Sequence, residues 1–144
     1  MTHRDAGRYA AKHATGVGPD EKISAAVRGK AGEGEVACAD AERIGADLGA
    51  PLADIGRTLD LLEIRIGRCQ LGLFGYGKQR KAVRPADRVE PALAETIRGS
   101  LSEGKLPCAA AWKIAADGNM PRMNVAAACE ALDIRIKPCQ LGAF

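Results

Sequence analysis

Aromatic residues are scarce in this chain. The 144 residues include one Trp, two Tyr and two Phe, or 3% of the sequence, although 47% of the residues are hydrophobic. Large aromatic side chains line many ligand pockets and fill much of an ordinary core. This core must come mainly from Ala, Leu, Ile and Val, which favours close helix packing over a large aromatic-lined pocket. The length fits one ordinary domain or two small ones.

Long apolar runs are also missing. No stretch approaches the roughly 20 apolar residues that cross a bilayer, and the N-terminus MTHRDAGRYAAKHATG lacks the apolar centre of a secretory signal. We therefore expect a cytoplasmic protein without a membrane partner. In that compartment the five cysteines are expected to be reduced thiols or metal ligands sooner than disulfides.

The net charge of +3 is concentrated in one short segment. Residues 75–92 contain five basic and two acidic side chains, whereas residues 23–74 contain six basic and eight acidic ones. Residues 1–22 and 93–144 each have a net charge of +1. The sequence therefore indicates a basic segment between two nearly neutral regions, and no general basic face.

The strongest signal is an internal duplication. The stretch IRIGRCQLGLF at Ile64–Phe74 returns 70 residues later as IRIKPCQLGAF at Ile134–Phe144. Residues 23–74 align with residues 93–144 without a gap, and identities occur along the whole alignment. The predicted divisions are an N-terminal arm (1–22), a first repeat (23–74), a basic connector (75–92) and a second repeat (93–144).

Each repeat shows the same order of predicted elements. An amphipathic helix is followed by a turn and a brief apolar strand. A second helix, with Ala41, Ile44 and Leu48 on its buried side, ends at Gly49. Pro51 opens a third helix in its first turn, and the alternating segment IRI then predicts a strand. The predicted fold class is mainly α with small β elements, as two tandem three-helix units.

This order of elements, with the spacing of small and apolar residues along the second and third helices, resembles the winged helix-turn-helix family. The residues that carry the resemblance are Ala41, Ile44 and Ile55 in the first repeat and Ala111, Ile114 and Val125 in the second. The resemblance implies a DNA-binding, transcription-regulatory protein built as an internal pseudo-dimer. The segment GLFGYGKQRKAVRP can be read as a wing, a basic hairpin tip followed by the returning strand KAVR. The second repeat has no such segment after Phe144.

The resemblance directs attention to the third helices, which enter the major groove in DNA-binding members of such families. Candidate base-reading residues there are Arg57, Arg122 and Asn124, because Arg and Asn form paired hydrogen bonds with bases. The charged side chains of the two third helices sum to −2 and −1, which suits DNA poorly. The alternative is that these three residues are ordinary solvated helix residues.

The connector is the better electrostatic candidate. Its cations Lys78, Arg80, Lys81 and Arg84 could contact phosphates. A short basic connector is equally compatible with a soluble linker, and an acidic protein partner would satisfy the same charges. A protein-interaction module on the same scaffold is therefore the alternative function.

Four cysteines occupy matched positions in the two repeats, namely Cys38, Cys69, Cys108 and Cys139. The resemblance implies that the short strand and the IRI strand pair, which would bring Cys38 near Cys69 and Cys108 near Cys139. Such pairs are either small buried residues or metal and redox ligands of a sensor. The sequence contains no CxxC motif, and His3 and His13 lie outside the repeats. We favour buried thiols and expect no cofactor.

Groups for acid–base or nucleophilic catalysis are not evident. The sequence contains no recognisable nucleophile–base set or phosphate-binding glycine loop. We therefore do not expect an enzyme, and the oligomeric state stays open. One feature is unexplained: packing accounts for the Leu and Gly of the repeated CQLG, but it does not require the Gln.

Overall fold

The computed structural model describes Ala10 and residues 18–144. Within these residues the chain forms six α-helices and two short β-strands, which confirms the predicted fold class. In chain order they are α1 (Glu21–Lys30), β1 (Glu35–Ala37), α2 (Cys38–Leu48), α3 (Leu52–Leu61), β2 (Arg65–Gly67), α4 (Pro91–Gly99), α5 (Cys108–Asp117) and α6 (Arg122–Ala131). In this part of the chain no helix has the length and apolarity needed to span a membrane.

The duplication extends from sequence to packing. Helices α4, α5 and α6 each begin 70 residues after α1, α2 and α3. Residues 31–50 and 101–120 also alternate between buried, half-buried and exposed in the same order, position by position. The two repeats therefore bury the same face of α2 and of α5, although most of their residues differ.

The first helices form where local signals favour them. The carboxylate of Asp20 caps α1 by accepting a hydrogen bond of 2.9 Å from the N–H of Ile23. Ile23 and Val27, one turn apart, are buried as their spacing predicts. In α4, Pro91 supplies the first-turn residue and Ile97 is buried.

The second helix departs from its predicted pattern at its end. Ala41 and Ile44 are buried, but Leu48, predicted to share their face, is 42% exposed. Leu48 is the last residue of α2, and Gly49 then turns the chain in the left-handed region with φ of 63°. The apolar face seen in the sequence therefore extends to Leu48, beyond the last residue of α2 on that face that is buried, Ile44. Pro51 is the N-cap of α3, just before the predicted first turn.

A two-stranded parallel sheet joins β1 and β2, with Val36 opposite Ile66 and Ala37 opposite Gly67. Parallel strands need a crossover connection, and α2 with α3 provides it. In the second repeat the pairing shrinks to one parallel bridge, Leu106 with Ile136. Pro107 replaces Ala37 there, and a proline has no N–H to donate to a ladder.

The connector does not form the hairpin expected of a wing. Residues 75–90 contain a single 3₁₀ turn at Gly77–Gln79 and no strand. The amides of Ala82 and Val83, in the segment predicted as a returning strand, both donate to the carbonyl oxygen of Gly72, at 2.8 and 3.0 Å. Neighbouring amides that share one acceptor cannot continue a β-ladder, in which successive groups point to opposite sides.

The compact units do not end where the sequence repeats end. One unit contains the described residues up to Cys69 together with Gln140–Phe144, and the other contains Gln70–Cys139. We call Gln70–Phe74 the first tail and Gln140–Phe144 the second tail. Each tail therefore belongs to the unit whose helices come from the other repeat, so the QLGxF segments are exchanged between the repeats while Cys69 and Cys139 stay with their own.

Candidate nucleic-acid interface

The basic connector belongs to the unit formed by residues 70–139. This unit contains eleven basic and seven acidic residues, for a net charge of +4, whereas the rest of the chain contains ten basic and eleven acidic residues, for −1. A polyanion is attracted to the unit formed by residues 70–139 and weakly repelled by the other unit. The connector is the part of that unit where cations are densest.

The connector is held in place at its start by Gly72. The φ of Gly72 is +75°, and a Cβ there would lie 2.9 Å from the amide nitrogen of Val83 and 3.0 Å from Cε of Met123. Only glycine fits this conformation and this space without displacing backbone. Val83 is buried against it. The Gly72 carbonyl oxygen accepts hydrogen bonds from both amides of residues 82 and 83, and the absence of a side chain on Gly72 leaves room for their close approach.

The connector is also attached to α6. The Lys81 ammonium forms an ion pair with the Glu130 carboxylate, and the amide of Ala86 donates to the carbonyl oxygen of Ala127 at 3.0 Å. The connector is therefore an anchored segment of the unit formed by residues 70–139 and differs from a free linker. The ion pair also partly neutralises Lys81, one of the four predicted connector cations.

The other predicted connector cations, Lys78, Arg80 and Arg84, are exposed. Within the described residues none of them forms an ion pair, so their charges face solvent. Arg80 has φ of 58° directly after the 3₁₀ turn, where its amide donates to Gly77 at 3.1 Å. Arg88 is a further connector cation that was not predicted, although the sequence shows its charge and its place in the connector. Its side chain is 81% exposed beside Glu90.

The predicted base-reading residues are placed less favourably. The Arg122 guanidinium lies over the Trp112 ring, 3.6 Å from its centroid, and its Nη1 donates to Oε1 of Gln70 at 2.8 Å. Arg57 is half-buried beside Asp54, with 3.8 Å between Nη2 and Oδ1. Asn124, in the first turn of α6, is exposed. Of these three, Asn124 alone has a side chain directed to solvent without a described charge partner.

The third helices have little accessible surface. In α3 one residue of ten, Ala53, is exposed, and in α6 two of ten, Asn124 and Ala131. A helix that reads bases must present several side chains to the groove. Both third helices are therefore poor groove readers in this conformation, and the connector is the stronger candidate interface.

The cysteines are mostly enclosed. Cys38, Cys69, Cys108 and Cys129 are buried and Cys139 is half-buried. Because Ala37 lies opposite Gly67, Cys38 and Cys69 follow the same end of the sheet. In the second repeat, the amide of Cys108 donates to the carbonyl oxygen of Pro138, next to Cys139. Among the described residues no group of three or more His, Cys, Asp or Glu is arranged to hold a metal ion.

Two residues of this region were not predicted in their observed roles. Gln70 was singled out as unexplained, and the signal was its presence in both CQLG stretches. Trp112 lies under the guanidinium of Arg122, which belongs to the same repeat. Comparison with protein-family models, with characterised proteins and with solved structures gave no match to this chain.

Proposed function

We propose that this protein binds DNA and acts in transcription regulation, with the connector as its contact surface for the phosphate backbone. The observation that supports the proposal is an ordered connector that presents Lys78, Arg80 and Arg84 to solvent within a unit of net charge +4. An ordered segment loses less conformational entropy on binding than a flexible linker does. The resemblance to winged helix-turn-helix proteins points in the same direction.

Phosphate contacts give affinity, whereas base contacts give specificity. With Arg122 engaged by Trp112 and Gln70, and the third helices largely covered, Asn124 is the best placed of the predicted base-reading residues. We therefore expect binding with weak sequence preference and strong salt dependence. Three phosphate contacts predict a log–log salt slope of about −2.7, or about a 40-fold loss of affinity between about 50 and about 200 mM salt.

Fluorescence anisotropy with mixed duplex fragments at several salt concentrations tests the proposal. The variant Lys78→Gln, Arg80→Gln, Arg84→Gln should lose more than about tenfold in affinity and most of the salt slope. The matched control Arg28→Gln, Lys30→Gln, Arg43→Gln removes the same charge from exposed positions of the other unit and should retain the slope. Absence of wild-type binding at low salt would contradict the proposal. Equal losses in both variants would assign binding to net charge and not to the connector.

A protein partner is the second candidate function. Within the described residues Leu48 is the one large hydrophobic side chain that is clearly exposed, so an apolar docking surface has little support. A partner with an acidic surface would use the same connector cations. Salt-sensitive capture of an acidic protein, together with no DNA binding by the wild-type chain, would favour this second function.

A further inference from the structure

The exchange of tails between the repeats has a consequence for association. The second tail, Gln140–Phe144, belongs to the unit that contains α3, and the first tail, Gln70–Phe74, belongs to the unit that contains α6. Neither tail belongs to the unit formed by the helices that precede it in sequence. In both units, therefore, the helices of one repeat are accompanied by the tail of the other repeat.

The second tail lies directly on α3. A Cβ at Gly56 would lie 2.7 Å from the carbonyl carbon of Leu141 and 3.0 Å from its Cα, closer than real Cβ atoms approach backbone. Gly56 is in the middle of α3, where glycine costs about 1 kcal/mol relative to alanine. Leu141 is 3% exposed and Ala143 is 2% exposed. The α3 surface at Gly56 is thus shaped for the backbone of this tail.

The first tail lies on α6 through a different set of contacts, since the position equivalent to Gly56 is Ala126. Leu71 is fully buried, Gly72 lies close to Met123, and Gln70 accepts a hydrogen bond from Arg122. These contacts, like those of Leu141 on α3, are made between residues distant in sequence. They depend on the two surfaces meeting, and they do not require that both belong to one polypeptide.

We propose that a second copy of this chain is a binding partner, with Gln140–Phe144 of one copy docked on the α3 surface at Gly56 of the other. Exchanging an element between identical chains keeps its contacts and changes only the connection, which makes it a low-cost route to dimers. The tethered tail competes at an effective concentration of about 1 mM. Exchange between copies therefore appears at high protein concentration, or when a chain's own α3 surface is closed.

Two complementary variants of this chain, called the receiver and the donor, test this proposal. The receiver ends at Cys139, so its α3 surface is open and it has no second tail. The donor is Gly56→Val, which closes its own α3 surface and leaves its tail free. Sedimentation velocity should show each variant alone at the mass of one chain and an equimolar mixture at the mass of two chains.

Two controls identify the contact. Gly29→Val also changes a helical glycine, but a Cβ at Gly29 meets nothing within 4 Å. In the Gly29→Val variant the second tail stays on α3 of the same chain. This variant should therefore form about tenfold less complex with the receiver than the donor does. Adding Leu141→Asp to the donor removes the buried side chain of the tail and should abolish the complex.

A mixture that stays at the mass of one chain while both variants are folded by circular dichroism overturns the proposal. If the receiver is unfolded alone, the peptide QLGAF or the donor should restore its helical signal, and failure of both also overturns the proposal. For intact chains near the effective concentration of about 1 mM, dimer should form with Gly29→Ala and be lost with Gly56→Ala. Equal dimer formation by these two variants would again count against docking at Gly56.

Discussion

Gln70 has a role that its sequence neighbours do not reveal. Its side-chain oxygen accepts a hydrogen bond from Arg122, whose guanidinium also covers the face of Trp112. The positions equivalent to Arg122 and Trp112 in the first repeat are Leu52 and Glu42, so this cluster is specific to the second unit. One charge-assisted hydrogen bond joins the first tail to α6, and one cation–π contact holds the same guanidinium against α5.

A double-mutant cycle measures the link between Gln70 and Arg122. We expect Gln70→Ala and Arg122→Ala to show a coupling of about 1 kcal/mol in urea unfolding, since a partly exposed charged hydrogen bond is weaker than a buried one. Trp112 is the only tryptophan, so its fluorescence should shift in Arg122→Ala. Lys113→Ala, which removes a surface cation paired with Asp117, should leave the emission unchanged. Strict additivity of the two alanine variants would exclude a direct link.

Cys129 makes stability depend on alkaline pH. Burial, and secondarily the charge of Glu130, raise its thiol pKa from 9.0 to about 11. The unfolded chain therefore releases this proton at lower pH than the folded chain, so stability is fully present below about pH 9 and is lost as pH rises towards about 11. The loss of stability therefore depends on ionisation of the Cys129 thiol.

The test compares urea unfolding of the wild type and Cys129→Ala across this pH range. At neutral pH the variant should be less stable because a buried side chain is shortened. The difference in unfolding free energy should then shrink between about pH 9 and about pH 11, because the variant lacks the titrating group. A difference that stays constant with pH would show that Cys129 does not titrate in this way.

At the scale of elements, the helices follow from the sequence pattern and the connector does not. Helical periodicity located all six helices, because buried residues recur on one face of each. The connector has no periodicity, and its glycines and cations fit a wing, a linker or an anchored segment equally well. Its path depends on the Gly72 carbonyl and on Ala127 of α6, which are distant acceptors that no local signal identifies.

Hydrogen exchange distinguishes an anchored connector from a linker. We expect the amides of Ala82, Val83 and Ala86 to be protected, because each donates to a backbone carbonyl. Arg84 and Arg88 are internal controls, since within the described residues their amides form no backbone hydrogen bond. Their exchange should be at least about tenfold faster. Uniformly fast exchange across residues 82–88 would identify a mobile linker.

At the scale of the whole molecule, the exchanged tails mean that each half of the chain completes a unit in the other half. Residues 70–74 precede the connector but belong with α6, and residues 140–144 follow α6 but belong with α3. Cutting the connector should therefore leave the two halves associated, although no peptide bond would join them.

A protease site inserted between the exposed residues Asp87 and Arg88 tests this expectation. After cleavage the fragments should elute together in gel filtration and separate only in denaturant. The same cut in a chain that ends at Cys139 is the control, and there the fragments should separate more readily because one tail is missing. Separation of the cleaved full-length chain under native conditions would contradict an interlocked arrangement.

The sequence by itself determined the duplication, the helices and the two strands of the first repeat, because periodicity, caps and turn residues act over a few neighbouring positions. The strands predicted in the second repeat and in the connector did not form, apart from the single bridge between Leu106 and Ile136. It also located the cations of the connector. Only the tertiary structure decided which repeat receives each QLGxF tail, and that Gln70 meets Arg122 and Leu141 meets Gly56. Both repeats offer almost the same tail and related helices, so the local pattern is the same for either pairing. The choice depends on the steric fit and hydrogen bonds that form when distant segments meet.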